Sequence, residues 1–286
     1  MWGVFPLYWT LLEPAGAVEI LAHRVFWSLA VMVALVFLLR RRRQFGAILA
    51  NPRTRSILSL GAVVISINWA GFIWGVNNGY VVEVSLGYFI NPLVTVLMGV
   101  FILGERLRAW QWVAMAIAGA AVLGLTLELG RPPWVALVLA FSFGSYGLAK
   151  KKANSGAVEG LAFETMLIAP VALGYIIVLG SQGQSSFGTA GSGHAWLLVS
   201  TGIVTAIPLI CFGAAATRVS MTTLGLLQYL APTIQFVLGV FTFDEAMPPM
   251  RLAGYILVWI ALAIFTFESV SHRRRQPRPA VEARAL

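Results

Sequence analysis

The chain has 286 residues, 59% apolar and only 11% charged, with a mean hydropathy of +0.83. An ordinary soluble domain carries about 25% charged residues, so the composition excludes a soluble enzyme, a disordered chain and, with the lone Cys211, a disulfide scaffold. A net charge of +9 would suit a nucleic-acid binder, but the basic residues sit in short clusters between apolar runs, and no nucleic-acid partner is expected.

A membrane-spanning helix needs about 20 apolar residues. Met1 to Leu12 is apolar but about half that length. Nine full spans are predicted after it, near 17–39, 57–77, 84–103, 109–127, 133–149, 157–179, 195–216, 222–243 and 249–269. The Gly- and Ser-rich stretch 180–193 reads as a flexible connector, and the Arg- and Pro-rich segment 271–286 as a disordered, basic, cytoplasmic tail. No cleavable signal sequence is read, since the first helix of such a chain can direct insertion. The loops holding Arg40 to Arg43, Arg53, Arg55, Arg106, Arg108, Lys150 to Lys152 and Arg218, with the tail, carry 17 of the 20 basic residues. Those loops are predicted to face the cytoplasm, which puts the C-terminus inside. Attraction of anionic lipids is a second reading of the same clusters.

Polar residues within the spans are the candidates for function, because each is costly in lipid. Glu19 and His23 share a helical face; they form an interfacial pair, or His23 titrates near neutral pH. Arg24 lies about seven residues into its span, roughly 10 Å deep. Asn68 and Trp69 fall mid-span, with Trp74, Asn77 and Asn78 further on; Gly71, Gly75 and Gly79 are spaced for close helix packing. Tyr88, Asn91, Gln228, Tyr229 and Gln235 surround the bends expected at Pro92 and Pro232, with a third bend at Pro208. Two readings stand for them: repair of the broken backbone, or lining of a cavity. Ser142 and Tyr146 are placed toward the same space, Lys150 as a topology charge, and Trp110, Trp112 and Trp134 in the interfacial belt. Glu164 is as deep as Arg24, and is the second group expected to titrate.

The chain also repeats itself. Gly16-Ala17-Val18-Glu19 recurs as Gly156-Ala157-Val158-Glu159, an offset of 140 residues. Pro92, Gly99-Val100-Phe101 and Glu105 recur as Pro232, Gly239-Val240-Phe241 and Glu245, and Val64, Ile67 and Phe72 as Val204, Ile207 and Phe212. Two five-helix repeats follow, 1–130 and 131–270, the second entering the membrane from the opposite side, as in many secondary transporters. Arg24 and Glu164 are equivalent positions of opposite charge; a direct ion pair is one reading, against a height difference of roughly 10 Å in a core about 30 Å thick. The sixth span starts near Pro133, so its partner is expected to start before residue 1, and either translation starts upstream of Met1 or the first helix is a half-helix.

No metalloprotease, hydrolase or nucleotide-binding motif is found, so no catalytic residue, metal or cofactor is expected. The runs His23-Arg24, FIWGVNN at 72–78, SLGYFINPL at 85–93, LGER at 103–106, FSFGSYGL at 141–148, Glu164-Thr165, AATR at 215–218, Gln228-Tyr229 and Pro232-Thr233 resemble the RarD-like permeases of the EamA-type branch of the drug/metabolite transporter superfamily. The resemblance implies ten helices in two inverted repeats, both termini cytoplasmic, a central cavity, and an association with chloramphenicol sensitivity or resistance. The short first helix departs from that pattern, as does Asp244 before Glu245 where the first copy has Gly104. The expectation is therefore an all-α integral protein of the bacterial inner membrane, exporting a small amphipathic organic molecule by alternating access. Arg24, Glu164, Asn68, Trp69, Tyr88, Asn91, Gln228 and Tyr229 would bind or gate it. Its partners would be membrane lipid and that substrate, with a monomer as one reading of its oligomeric state. A passive facilitator or importer of the same fold and a non-transporting scaffold are the rival readings.

Overall fold

In hydrocarbon no water satisfies a backbone amide, so an apolar chain must bond within itself. The computed structural model, which describes residues 1–242 and 249–275, answers with helices, and holds no strand among the described residues. Two 3₁₀ turns, Trp2–Val4 and Thr10–Leu12, flank the short α1 (Phe5–Trp9). Then follow α2 (Ala17–Leu38), α3 (Arg42–Ala50), α4 (Pro52–Asn77), α5 (Val81–Leu103), α6 (Ala109–Leu129) and α7 (Trp134–Ala153). The remainder is α8 (Ala157–Ser181), α9 (Ser192–Arg218), α10 (Met221–Gln228), α11 (Leu230–Phe241) and α12 (Pro249–Arg275).

Local chemistry marks the boundaries. Asn51 accepts from the amides of Arg53 and Thr54 at 3.0 and 3.1 Å, with Pro52 at the first helical position, so α4 starts there. Ser220 caps α10 by accepting from Thr223 N at 3.1 Å. Glycines in the left-handed region, Gly104 and Gly130, end α5 and α6.

Seven helical stretches of the described residues are long and apolar enough to cross a membrane: Ala17–Leu38, Pro52–Asn77, Val81–Leu103, Ala109–Leu127, Ala157–Ser181, Ser192–Arg218 and Met221–Phe241. The other two predicted spans are helical as well. They are α7, whose last turn holds Lys150, Lys151 and Lys152, and α12, whose apolar stretch is the shorter Leu252–Glu268. The predicted N-terminal half-span is broken into three short turns, with Leu12 fully buried and the Trp2 ring 5.6 Å from those of Phe143 and Phe212. α12 also runs on to Arg275, into the segment expected as a disordered tail; 276–286, like Asp244 and Glu245, lie outside the described residues.

The helices gather into two compact units. In one, α4 and α5 pack on α7, α2 packs on α8 and α9, and α5 packs on α10. Its core joins Met32, Ile65, Tyr146, Leu161, Leu209, Phe212, Met221 and Leu224. The second unit pairs α6 with α12, where Leu125 closes on Gly254 and Arg108 pairs with Glu268.

Helix assignment continues through Pro92 and Pro208. The interruption falls at Tyr229, because the ring of Pro232 removes a donor and crowds the carbonyl of Gln228, where α10 ends. Of the three spaced glycines, Gly71 and Gly75 face Val138 and Val135 of α7, as the packing expectation requires. Gly79 does not pack: it turns the chain after α4 with φ +79°, a conformation that favours glycine.

Candidate functional site

The deepest charged group of α2 is Arg24. Its Nε donates to Thr205 Oγ1 of α9 at 3.0 Å, and its guanidinium carbon lies 4.7 Å from the Trp9 ring centre and 5.6 Å from that of Trp69. Both indoles are within cation–π range. Tyr8 and Tyr88 are within electrostatic reach of the same cation. Tyr8 bonds the carbonyl of Leu197 at 2.9 Å and Ser200 at 2.7 Å, which holds α1 on α9. Tyr88 meets Phe72 edge-on at 6.4 Å and is 39% exposed although it sits inside an apolar helix. The setting of Thr205 depends on a close approach: a Cβ at Gly202 would lie 2.5 Å from the Trp27 carbonyl carbon, and Ser28 donates to Gly202 O at 3.1 Å.

Glu164 of α8 takes other partners. Lys150 Nζ reaches its Oε2 at 2.7 Å and the Tyr146 hydroxyl donates to the same oxygen at 3.0 Å. Lys150 and Glu164 are 3% and 2% exposed. The considered Arg24–Glu164 pair is therefore not formed; Glu164 is paired instead by Lys150, read from the sequence only as a topology charge. Tyr146 stacks on Phe212 at 5.8 Å, fixing the triad to α9. Glu164 Oε1 has no hydrogen-bond partner and faces Gly61, where an added Cβ would lie 3.2 Å away.

Asn91 Nδ2 donates to Gln228 Oε1 at 2.7 Å, and the Tyr229 hydroxyl donates to Phe89 O at 3.1 Å. These bonds join α5 to the α10–α11 break. Asn68 spends its amide on α7, at Leu139 O (2.9 Å) and Ser142 Oγ (3.0 Å). Trp74 and Asn78 stand apart from the cluster, since Trp74 stacks on Tyr80 at 5.2 Å and Asn78 bonds Trp74 O at 2.8 Å.

Carboxylates also pin the helix ends. Glu105 accepts from Met221 N (2.7 Å), Thr222 N (2.9 Å) and Thr222 Oγ1 (2.7 Å), at the positive end of α10. Glu19 accepts from Ser185 Oγ (2.9 Å), Ser186 N (2.8 Å) and Ser186 Oγ (3.0 Å), and His23 stacks on Phe187 at 4.9 Å. The stretch read as a flexible connector is thus tied down. Glu19 and His23 do not bond each other; His23 Nδ1 accepts from Trp27 at 3.2 Å, and its Nε2 is buried without a partner. Arg41 meets Glu159 at 3.3 Å. Among the described residues, no three His, Cys, Asp or Glu could hold a metal ion.

Sequence reasoning brought Arg24, Trp69 and Tyr88 forward, and the fold gathers them. It missed Tyr8, Trp9 and Thr205. The aromatic content of the Phe5–Trp9 segment was the available signal for the first two; a lone Thr in an apolar span carries none.

A sequence profile of the EamA-like transporter family matches residues 1–127. The chain is similar to Protein RarD of Streptomyces exfoliatus, 57% identical over 285 residues, which cover 100% of this chain and 90% of that one. It is 43% identical over 278 residues to the uncharacterized transporter YojE of Bacillus subtilis, covering 96% and 92% of the two chains. The Chloramphenicol-sensitive protein RarD of Pseudomonas aeruginosa is 32% identical over 281 residues, covering 96% and 93%. A solved crystal structure superposes with a TM-score of 0.70 at 19% identity, over 96% of this chain and 95% of the other, a likeness of fold alone.

Proposed function

The chain belongs to the EamA-like transporter family as a RarD-like membrane permease, and on that premise we propose that it exports a small amphipathic organic molecule by alternating access. The proposed frame is ten helices in two inverted repeats, 1–130 and 131–270, with the C-terminus in the cytoplasm. Arg24, Trp69 and Tyr88 contact the substrate, and Asn68, Asn91, Gln228 and Tyr229 shape and gate its path. Pro92, Pro208 and Pro232 are the points of flexure.

One observation carries this reading. Three polar contacts within the helices join the first sequence half to the second: Arg24 to Thr205, Asn68 to Ser142, Asn91 to Gln228. If one repeat rocks against the other, these are the bonds that exchange. The carboxylate pins fit the same scheme. With the basic loops inside, Glu19 and its serines close the outer side, while Glu105 and the Arg41–Glu159 pair close the inner side. Releasing either side breaks a few charge-assisted bonds, each worth about 1.5–3 kcal/mol, a height suited to a switch driven by substrate or by a proton. Glu164, with one unpartnered oxygen, is the proposed proton acceptor, and His23 a second.

The test is a tolerance screen in efflux-deficient bacteria against chloramphenicol and other amphipathic compounds, with Glu164→Gln at matched membrane abundance. Raised tolerance that is lost in the variant is expected. Flux that only equilibrates a compound would identify a facilitator, and no change for any compound would overturn export. Transport that is flat between about pH 5.5 and about pH 8.5 would refute protonation of Glu164 as the coupling step.

A further inference from the structure

Several buried charged groups have strong partners. Lys150 holds Glu164, Arg41 holds Glu159, the start of α10 holds Glu105, and the serines of the 180–193 stretch hold Glu19. Arg24 has no carboxylate within ion-pairing distance among the described residues. A guanidinium keeps its charge even in an apolar site, and a lone cation at membrane depth is costly unless something completes it. Thr205 takes one of its five N–H groups. Trp9 and Trp69 cover it with π-density but offer no lone pair to the others.

We infer that Arg24 is the anchor for the carboxylate of a flat, monoanionic organic acid, and that this is the class of molecule the permease carries. The inference rests on the transport reading above and narrows it. Binding Nε to Thr205 restrains the fork, so the remaining N–H groups are presented in the planar, bidentate arrangement that a carboxylate matches. Two indoles and Tyr88, which is 39% exposed, supply faces on which an apolar or aromatic body can stack. A single cation is neutralised by one negative charge, whereas a dianion would leave an uncompensated charge in a low-dielectric site. A neutral amphiphile such as chloramphenicol would leave the guanidinium unanswered, so the site should hold it more weakly than an organic acid of similar size.

The full chain in lipid nanodiscs tests the assignment by thermal unfolding and tryptophan fluorescence. The probes are indole-3-acetate and benzoate, their neutral isosteres indole-3-acetamide and benzamide, and inorganic phosphate as another oxyanion. The carboxylates are expected to raise the unfolding temperature, benzoate also to quench tryptophan fluorescence, the amides to bind roughly tenfold to a hundredfold more weakly, and phosphate not to compete. Arg24→Gln should erase the preference for acid over amide. Thr205→Val, which leaves the charge and frees the fork, should shrink it by several-fold. A merely structural Arg24 would shift the ligand-free unfolding temperature without altering the acid-to-amide ratio. Equal binding of acid and amide, binding of none of these probes, binding of phosphate in their place, or a preference that survives Arg24→Gln would each overturn the inference. Carboxylate binding without transport would sink the export reading and the acid as cargo, and leave the Arg24 anchor standing. Drug export untouched by Arg24→Gln would do the reverse.

Discussion

Replacing Lys150 by Met isolates the energetics of the buried ion pair. The two charges are 2.7 Å apart, and at an effective dielectric of about 20 they attract by about 6 kcal/mol. That gain is offset by several kcal/mol of desolvation for each ion, so the intact pair is close to neutral for stability. The single variant is not neutral, because Lys150→Met leaves the carboxylate of Glu164, 2% exposed, with the Tyr146 hydroxyl as its remaining donor. A loss of about 3–5 kcal/mol follows, which for a chain of this size lowers the unfolding temperature on the order of 10 °C. Glu164→Gln keeps an oxygen to accept from both donors and should lose less. The double variant Lys150→Met/Glu164→Gln removes both charges, retains the bond from Tyr146, and should recover at least half of the Lys150→Met loss. Tryptophan-fluorescence unfolding of the full chain in detergent reads all three. A Lys150→Met variant within about 2 °C of the parent, or a double variant no better than that single, would refute a buried, mutually dependent pair.

Gly202→Ala should reduce folded yield in size-exclusion chromatography by forcing α2 off α9, since its Cβ would fall 2.5 Å from Trp27 backbone; a cost of about 1–3 kcal/mol is expected. Gly174→Ala, which meets nothing within 4 Å, should be neutral or slightly stabilising in the same assay. Glu105→Ala removes three bonds from the start of α10 and should speed hydrogen exchange at Met221 and Thr222 by roughly tenfold or more, while exchange within α8 is unchanged. Glu19→Ala should release the 180–193 stretch to limited proteolysis; a parent chain cut there just as fast would contradict the pinning by Ser185 and Ser186.

How far the sequence could be read depended on whether the signal was local. Span length and apolar content are local, so the membrane-length helices from α2 onward are found with boundaries shifted by a few residues, whereas the short, basic α3 falls in a stretch read as a loop. Proline chemistry is local too, and it marks the α10–α11 break to within one turn. Partnership is not local. Lys150 resembles Lys151 and Lys152 in a count of loop charges, and what separates it is Glu164 on the neighbouring helix. Tyr146 and Lys150, four apart on one face, were a legible half of that triad. The equivalence of Arg24 and Glu164 suggested a bond between them, yet repeat position says where two residues sit in their own halves, not what each meets. Thr205 and Trp9 were invisible for the same reason, and the Ser-rich stretch passed for slack because composition does not show the carboxylate of Glu19 waiting beneath it.

The two oxygens of Glu164 are chemically unequal. Oε2 is crowded by an ammonium and a phenol, while Oε1 is bare and looks onto Gly61. On the proposed protonation of Glu164, Oε1 is the oxygen left free to take the proton, and it faces a residue with no side chain. A methyl group at position 61 would stand 3.2 Å from that oxygen and fill the space it faces, so the missing side chain is what leaves Oε1 uncovered.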